Sequence, residues 1–167
     1  KLPWNGYRAV LHLNGNTADT SPRNTAVKPE GAVTLDKSGA IFGTDPGYLS
    51  IDPAALAGIG EQLTITIRFN MLDKPELQTI ASGKKQDGPA EWFNFGLKSP
   101  NTVHTNAASH GKEGSELNPV GIAPGEWHTA VIRYDARDQS RAICIDGIVF
   151  QRDPALAGPL AITEMRI

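Results

Sequence analysis

Apolar residues recur at every second position along this chain. Leu63, Ile65, Ile67 and Phe69 alternate with Thr64, Thr66, Arg68 and Asn70, which predicts a strand with one buried face. Ala130, Ile132 and Tyr134 oppose Thr129, Val131 and Arg133, a strand whose second face is only partly polar. Ala142, Cys144 and Asp146 alternate with Ile143, Ile145 and Gly147. Shorter strands are expected at Arg8–Leu13, Ala32–Leu35, Ala40–Phe42, Tyr48–Ile51, Gln78–Ser82, Trp92–Leu97, Thr102–Thr105 and Met165–Ile167. Turn signals separate them: Asn14-Gly15, Asp45-Pro46-Gly47, Asp87-Gly88-Pro89, Pro124-Gly125 and Asp146-Gly147. About ten short strands at this spacing, almost without helical periodicity, predict an all-β fold, a two-sheet antiparallel sandwich or jelly roll. One helical turn is expected at Pro53–Ala57, with Asp52 as its N-cap.

The length of 167 residues suits a single domain covering 1–167, with 40% hydrophobic and 20% charged residues. Sixteen Lys and Arg against 18 Asp and Glu give a net charge of −2. Neither a nucleic-acid backbone nor an anionic membrane would attract such a chain, so neither is expected as a partner. No apolar run approaches the roughly 20 residues that a membrane span needs. The amino terminus lacks the basic-plus-apolar pattern of an export signal, which is expected to have been removed or to lie outside this sequence. The single cysteine, Cys144, excludes an internal disulfide and any cysteine-based zinc cluster.

Two polar, aperiodic stretches read as loops: Gly83–Glu91 and the longer Asn106–Pro119. Loops carry recognition more often than sheets do. Of the four histidines, His12 and His128 lie in strand patterns and read as packed structural residues. Cys144 reads as a small buried hydrophobe. No Gly-x-Ser-x-Gly elbow occurs. Glycoside cleavage needs two converging carboxylates, which a strand supplies with acidic residues at i, i+2 and i+4. No strand carries such a set, and Glu91, Glu113, Glu116 and Glu126 fall in or beside loops, so a non-catalytic protein is expected. His104 and His110 lack zinc-ligand spacing. A structural Ca²⁺ ion suits oxygen-rich loops better, and Asp19 in the segment Asn14–Thr20 is the candidate ligand. The plainer reading is that Asn14, Gly15 and Asp19 build turns.

Sugar recognition needs an aromatic face for C–H surfaces and polar side chains for hydroxyls. Trp92, with Asn94, His104, Asn106, His110 and Lys84, supplies that mixture around one expected surface. Trp4 and Trp127 read instead as core or edge packing.

The segment Pro124–Asp135, followed by Ala142–Gly147, resembles the G-x-W-H…Y-D…D-G strand pair of laminin-G-like, concanavalin-A-like jelly rolls. Cys144 stands where that family often has Tyr. Trp4–Asn14 with Asp19-Thr20-Ser21 is similar to the family's opening strand, and Leu63–Phe69 to a later one, with Phe69 in place of Trp. The matches keep the family's order and cover nearly the whole chain. The resemblance implies a secreted, extracellular or periplasmic module of a larger protein that binds glycans or proteins, frequently beside calcium. Leu160–Ile167 looks like the family's penultimate strand or, in the other reading, its last. The first reading leaves the closing strand missing and an open edge near Arg8–Leu13, available to another chain. The functional expectation is therefore a non-catalytic carbohydrate-binding or adhesion module. The alternatives are a protein–protein assembly module using that edge, and a glycoside hydrolase or polysaccharide lyase.

Overall fold

The computed structural model describes residues 7–73, 76, 78–85, 93–98, 102–107, 115–117, 122–135, 137, 140–154 and 162–167. The fold is all-β, a two-sheet antiparallel jelly-roll sandwich, as the alternation predicts. Its strands are β1 (Val27–Asp36), β2 (Gly39–Ile51), β3 (Gln62–Asn70), β4 (Gln78–Lys85), β5 (Phe93–Lys98), β6 (Thr102–Ala107), β7 (Ser115–Leu117), β8 (Trp127–Asp135), β9 (Ser140–Ile145), β10 (Ile148–Pro154) and β11 (Ile162–Arg166). The helical turn α1 (Pro53–Leu56) forms where expected, with the Asp52 carboxylate accepting from the Ala54 N–H at 2.9 Å.

Two compact units divide the chain, one of Lys1–Ala57 with Thr163–Ile167 and one of Gly58–Ile162. In the first, β1 and β2 form a long hairpin and β11 pairs with β2 through Met165↔Ile51 and Arg166↔Ser50. Ile167 extends the pairing, donating to the Leu49 carbonyl at 3.0 Å and accepting from the Leu49 N–H at 2.6 Å. Val27, Leu49, Ile51, Leu56 and Met165 are buried. Burying a side chain of that kind contributes roughly 1.5–3 kcal/mol.

In the second unit, β10-β9-β8-β3 form a four-stranded ladder and β4-β5-β6-β7 another. The register of β3 on β8 runs from Gln62↔Asp135 to Asn70↔Trp127 without a slip. Alternation then decides the faces. Ile65 and Phe69 of β3, Ala130, Ile132 and Tyr134 of β8, and Ile143 and Ile145 of β9 are buried. Ala81, Phe95 and Leu97 supply the buried face of β4 and β5, each at most 1% exposed.

Ile162–Arg166 and Ile167 pair inside the chain beside β2, not beside Arg8–Leu13. Arg8–Leu13, the expected open edge, is not a strand at all. Only Leu11 bridges to Asp19, and the Asp19 carboxylate takes the Val10 N–H that a ladder would have used. His12 accordingly lies outside any strand, exposed, with its Nε2 3.2 Å from the Thr20 hydroxyl.

Asp45-Pro46-Gly47 is not a turn either. It lies inside β2, where the register slips between Gly31 and Val33. Proline has no N–H to give a ladder, and the bulge absorbs it. Gly31 sits there at φ +71°, and a Cβ on it would clash with the Pro46 carbonyl oxygen. Gly31→Ala is therefore expected to destabilise the protein by roughly 1–3 kcal/mol. The urea midpoint reads this, and an unchanged midpoint would mean that the bulge relaxes at no cost.

Both expected loops are shorter than predicted. β4 runs on to Lys85, β6 to Ala107, and Ser115–Leu117 forms β7 within the 106–119 stretch. Short strands with polar residues on both parities give no alternation to read.

Candidate functional site

The proposed sugar-binding residues separate into those the structure brings together and those outside the described residues. Trp92 and His110 lie outside them. The other four fall on three adjacent strands. Antiparallel register puts Ser82, Asn94 and Asn106 in one row across β4, β5 and β6. The next row holds Gly96, His104 and Glu116 of β5, β6 and β7. Lys84, two positions beyond Ser82, shares its face. These positions alternate with Ala81, Phe95 and Leu97, so they belong to the face of the ladder away from the core. Asn94 itself is only 6% exposed and Gly96 is buried, whereas Lys84 is half-buried. Sequence spacing had suggested the grouping; only strand register shows that it is one face.

Asp19, the candidate calcium ligand, is buried and already holds four donors. Its Oδ1 accepts from the N–H of Val10 at 2.7 Å and of Ser21 at 2.8 Å. Its Oδ2 accepts from the Ser21 hydroxyl at 2.6 Å and the Thr25 N–H at 2.6 Å. Burial pushes this carboxyl up, but the Ser21 hydroxyl and then the three backbone amides overcome it and hold the pKa at about 2. A carboxylate has about four lone-pair sites, so the geometry makes Asp19 the anchor of the 8–25 segment. Among the described residues no group of three or more His, Cys, Asp or Glu side chains is placed to hold a metal ion.

The residues behind the family resemblance have mostly structural partners. His128 is 4% exposed. Its Nδ1 lies 2.7 Å from Asp146 Oδ2 and its Nε2 3.0 Å from the Ala123 carbonyl. Both partners are acceptors, so both ring nitrogens donate and the imidazolium form is favoured. Burial lowers the His128 pKa, but the Asp146 and Ala123 hydrogen bonds and the charges of Asp146 and Glu126 raise it above its ordinary value. Asp146 is held below the usual carboxylate range by the His128 hydrogen bond and the Thr129 N–H. Asp146 and Gly147, at φ +49° and +83°, make the tight β9–β10 turn.

Asp135, 3% exposed, gathers Gln62, Arg133 and Arg137 at the other end of β8. The Arg137 and Gln62 hydrogen bonds hold its carboxyl far below the usual range. Tyr134 beside it is fully buried. The recurrent W-H…Y-D…D-G residues thus fasten turns to strand ends, with one exception.

That exception is Trp127, which is 50% exposed on the outer face of β8 rather than in the core or at an edge. The Arg68 guanidinium carbon lies 5.1 Å from its ring centroid. Parity was the missed signal: Trp127 shares a face with Thr129, Val131 and Arg133, while His128 shares the core with Ala130, Ile132 and Tyr134. Cys144 is half-buried on that same outer face, opposite Val131 and Val149, so the reading of a buried hydrophobe is also corrected. In the first unit, a shallow recess of about 300 Å³ is lined by Ala26, Lys28, Glu30, Ser50, Asp52 and Pro53.

Two antiparallel layers give the chain the fold of a jelly-roll β-sandwich. No family model and no curated protein matches the sequence. Among solved structures it is similar to the CBM40 of the Ruminococcus gnavus IT-sialidase bound to alpha2,3 sialyllactose. Identity there is 15% over 68% of this chain and 66% of that chain, with a TM-score of 0.53. It is also similar to the Crh5 transglycosylase in complex with NAG, at 15% identity over 85% of this chain and 66% of that chain, TM-score 0.54. Alginate lyase A1-II', a member of polysaccharide lyase family-7, matches at 10% identity over 89% of this chain and 78% of that one, TM-score 0.50. Identities this low establish a shared fold, and both binding modules and enzymes are built on it.

Proposed function

We propose that the protein is a non-catalytic glycan-binding module of a larger exported protein, of the laminin-G-like kind. The observation that carries this reading is the polar grouping on the outer face of β4–β5–β6–β7. Ser82, Lys84, Asn94, His104, Asn106 and Glu116 all fall on the face opposite Ala81, Phe95 and Leu97. Hydrogen-bonding residue types laid in rows suit the regular hydroxyls of a saccharide. The glycan-bound CBM40 neighbour supports the reading, and the enzymes among the neighbours define its competitor. Affinity at one such site is modest, and attachment to a larger protein raises effective concentration.

Isothermal titration against plant and algal polysaccharides tests the proposal. Binding is expected, with Lys84→Gln and Asn94→Ala each weakening it at least fivefold, Lys84→Gln at an unchanged melting temperature. Silence across the panel, or turnover of any member, would displace this reading.

One observation favours assembly as a second reading. Ile41 and Phe42 near the tip of the β1–β2 hairpin are 49% and 39% exposed, on opposite faces of the ribbon. Dimerisation on gel filtration that disappears in Phe42→Ser would support it.

A further inference from the structure

On the opposite layer, the outer face of β3 and β8 joins an exposed aromatic ring to a guanidinium. Asn70, Arg68 and Thr129 neighbour Trp127 by register: Asn70 lies across from Trp127, and Arg68 from Thr129 in the adjoining row. Trp127 keeps half of its surface open to solvent. The Arg68 guanidinium, 5.1 Å from the ring centroid, makes no hydrogen bond or ion pair with any described residue. The arginines at the far end of β8 are committed instead: Arg133 to Asp135 at 2.9 Å, and Arg137 to Asp135 and Glu61. The Asn70 amide is fixed on the Gly125 carbonyl at 2.9 Å, which stiffens the floor beside the indole. Asp146, the carboxylate beside Thr129, is engaged by His128 and the Thr129 N–H.

We propose that Trp127 and Arg68 form a second binding surface, which takes carboxylate-bearing saccharide units. The indole offers an apolar face for ring C–H groups. The guanidinium, already positioned by the indole, offers a planar fork of donors to the carboxylate. The Thr129 hydroxyl, in the row of Arg68, suits a sugar hydroxyl. The surface is separate from the β4–β7 face and stands whether or not that face binds glycan.

The test is titration with trigalacturonate, its fully methyl-esterified form and sialyllactose. The acid trimer is expected to bind and the neutral ester to bind at least tenfold more weakly. Uronate and sialate arms distinguish the two sources of the carboxylate. Trp127→Ala and Arg68→Gln should each weaken acid binding at least tenfold, and Arg68→Lys less, because it keeps charge but loses the fork. Both side chains are exposed, so melting temperatures should hold. Measured in the Lys84→Gln/Asn94→Ala background, where the β4–β7 face is weakened, acid binding should persist and should still fall with Trp127→Ala, which separates the outcome from that of the β4–β7 face. Equal affinity for acid and ester, retention in Arg68→Gln, or no binding by any acidic probe would overturn the proposal.

Discussion

Asp19→Ala is expected to lower unfolding stability by about 3 kcal/mol or more, among the largest effects of any single change here. The substitution strips one acceptor from four donors at once: the N–H groups of Val10, Ser21 and Thr25 and the Ser21 hydroxyl. Asp19, Ser21 and Thr25 are buried, so water does not readily replace the lost partner. The 8–25 segment has no ladder of its own beyond the Leu11↔Asp19 bridge, and would loosen as a unit. Asp19→Asn should recover part of the loss, since one oxygen remains to accept.

The same contacts set an acid limit. The folded pKa lies at about 2 against 3.8 for the free group, so the contribution is complete above roughly pH 4 and is lost as pH falls through about 2. Its size is about 2 kcal/mol, and it should be missing from the acid limb of Asp19→Ala. Urea unfolding at stepped pH reads both. Identical acid limbs for wild type and variant would show that Asp19 is not the anchor.

His128 sets the opposite limit. Its pKa is raised on folding, so the contribution is intact below the free value of 6.5 and is lost as pH rises through the folded value above that. The loss follows from counting donors: a neutral ring leaves either Asp146 or the Ala123 carbonyl without its hydrogen. His128→Ala should cost about 3 kcal/mol, combining a buried cavity with an orphaned acceptor. Asp146 is 45% exposed on its side chain, so salt should weaken the pair but not abolish it. Asp146→Asn should bring the imidazole titration, followed by NMR, down towards the free value. A titration that stays high in that variant would assign the shift to Ala123 and Glu126 instead.

Much of the fold was legible because alternation is a local property. The apolar parity of Leu63–Phe69 and Thr129–Tyr134 named the buried faces of β3 and β8, and Asp52-Pro53 named the helical turn. Arg8–Leu13 misled for a local reason too. Its pattern fits a strand, but a carboxylate nine residues on offers the backbone a better acceptor than a neighbouring strand. Asp45-Pro46-Gly47 misled because a bulge and a turn use the same residue types. For the site, spacing collected Lys84, Asn94, His104 and Asn106, but placed Trp127 in the wrong environment.

Local periodicity is enough to make this chain build strands with one oily side, because that choice depends on the spacing of neighbouring residues. Which strands became neighbours, and so which polar residues share a row, was decided by tertiary structure. Register joins positions far apart in the chain, as in Gln62 with Asp135 or Asn94 with Asn106. The free energy that selects such a pairing comes from the burial of both strands together, which neither segment encodes alone.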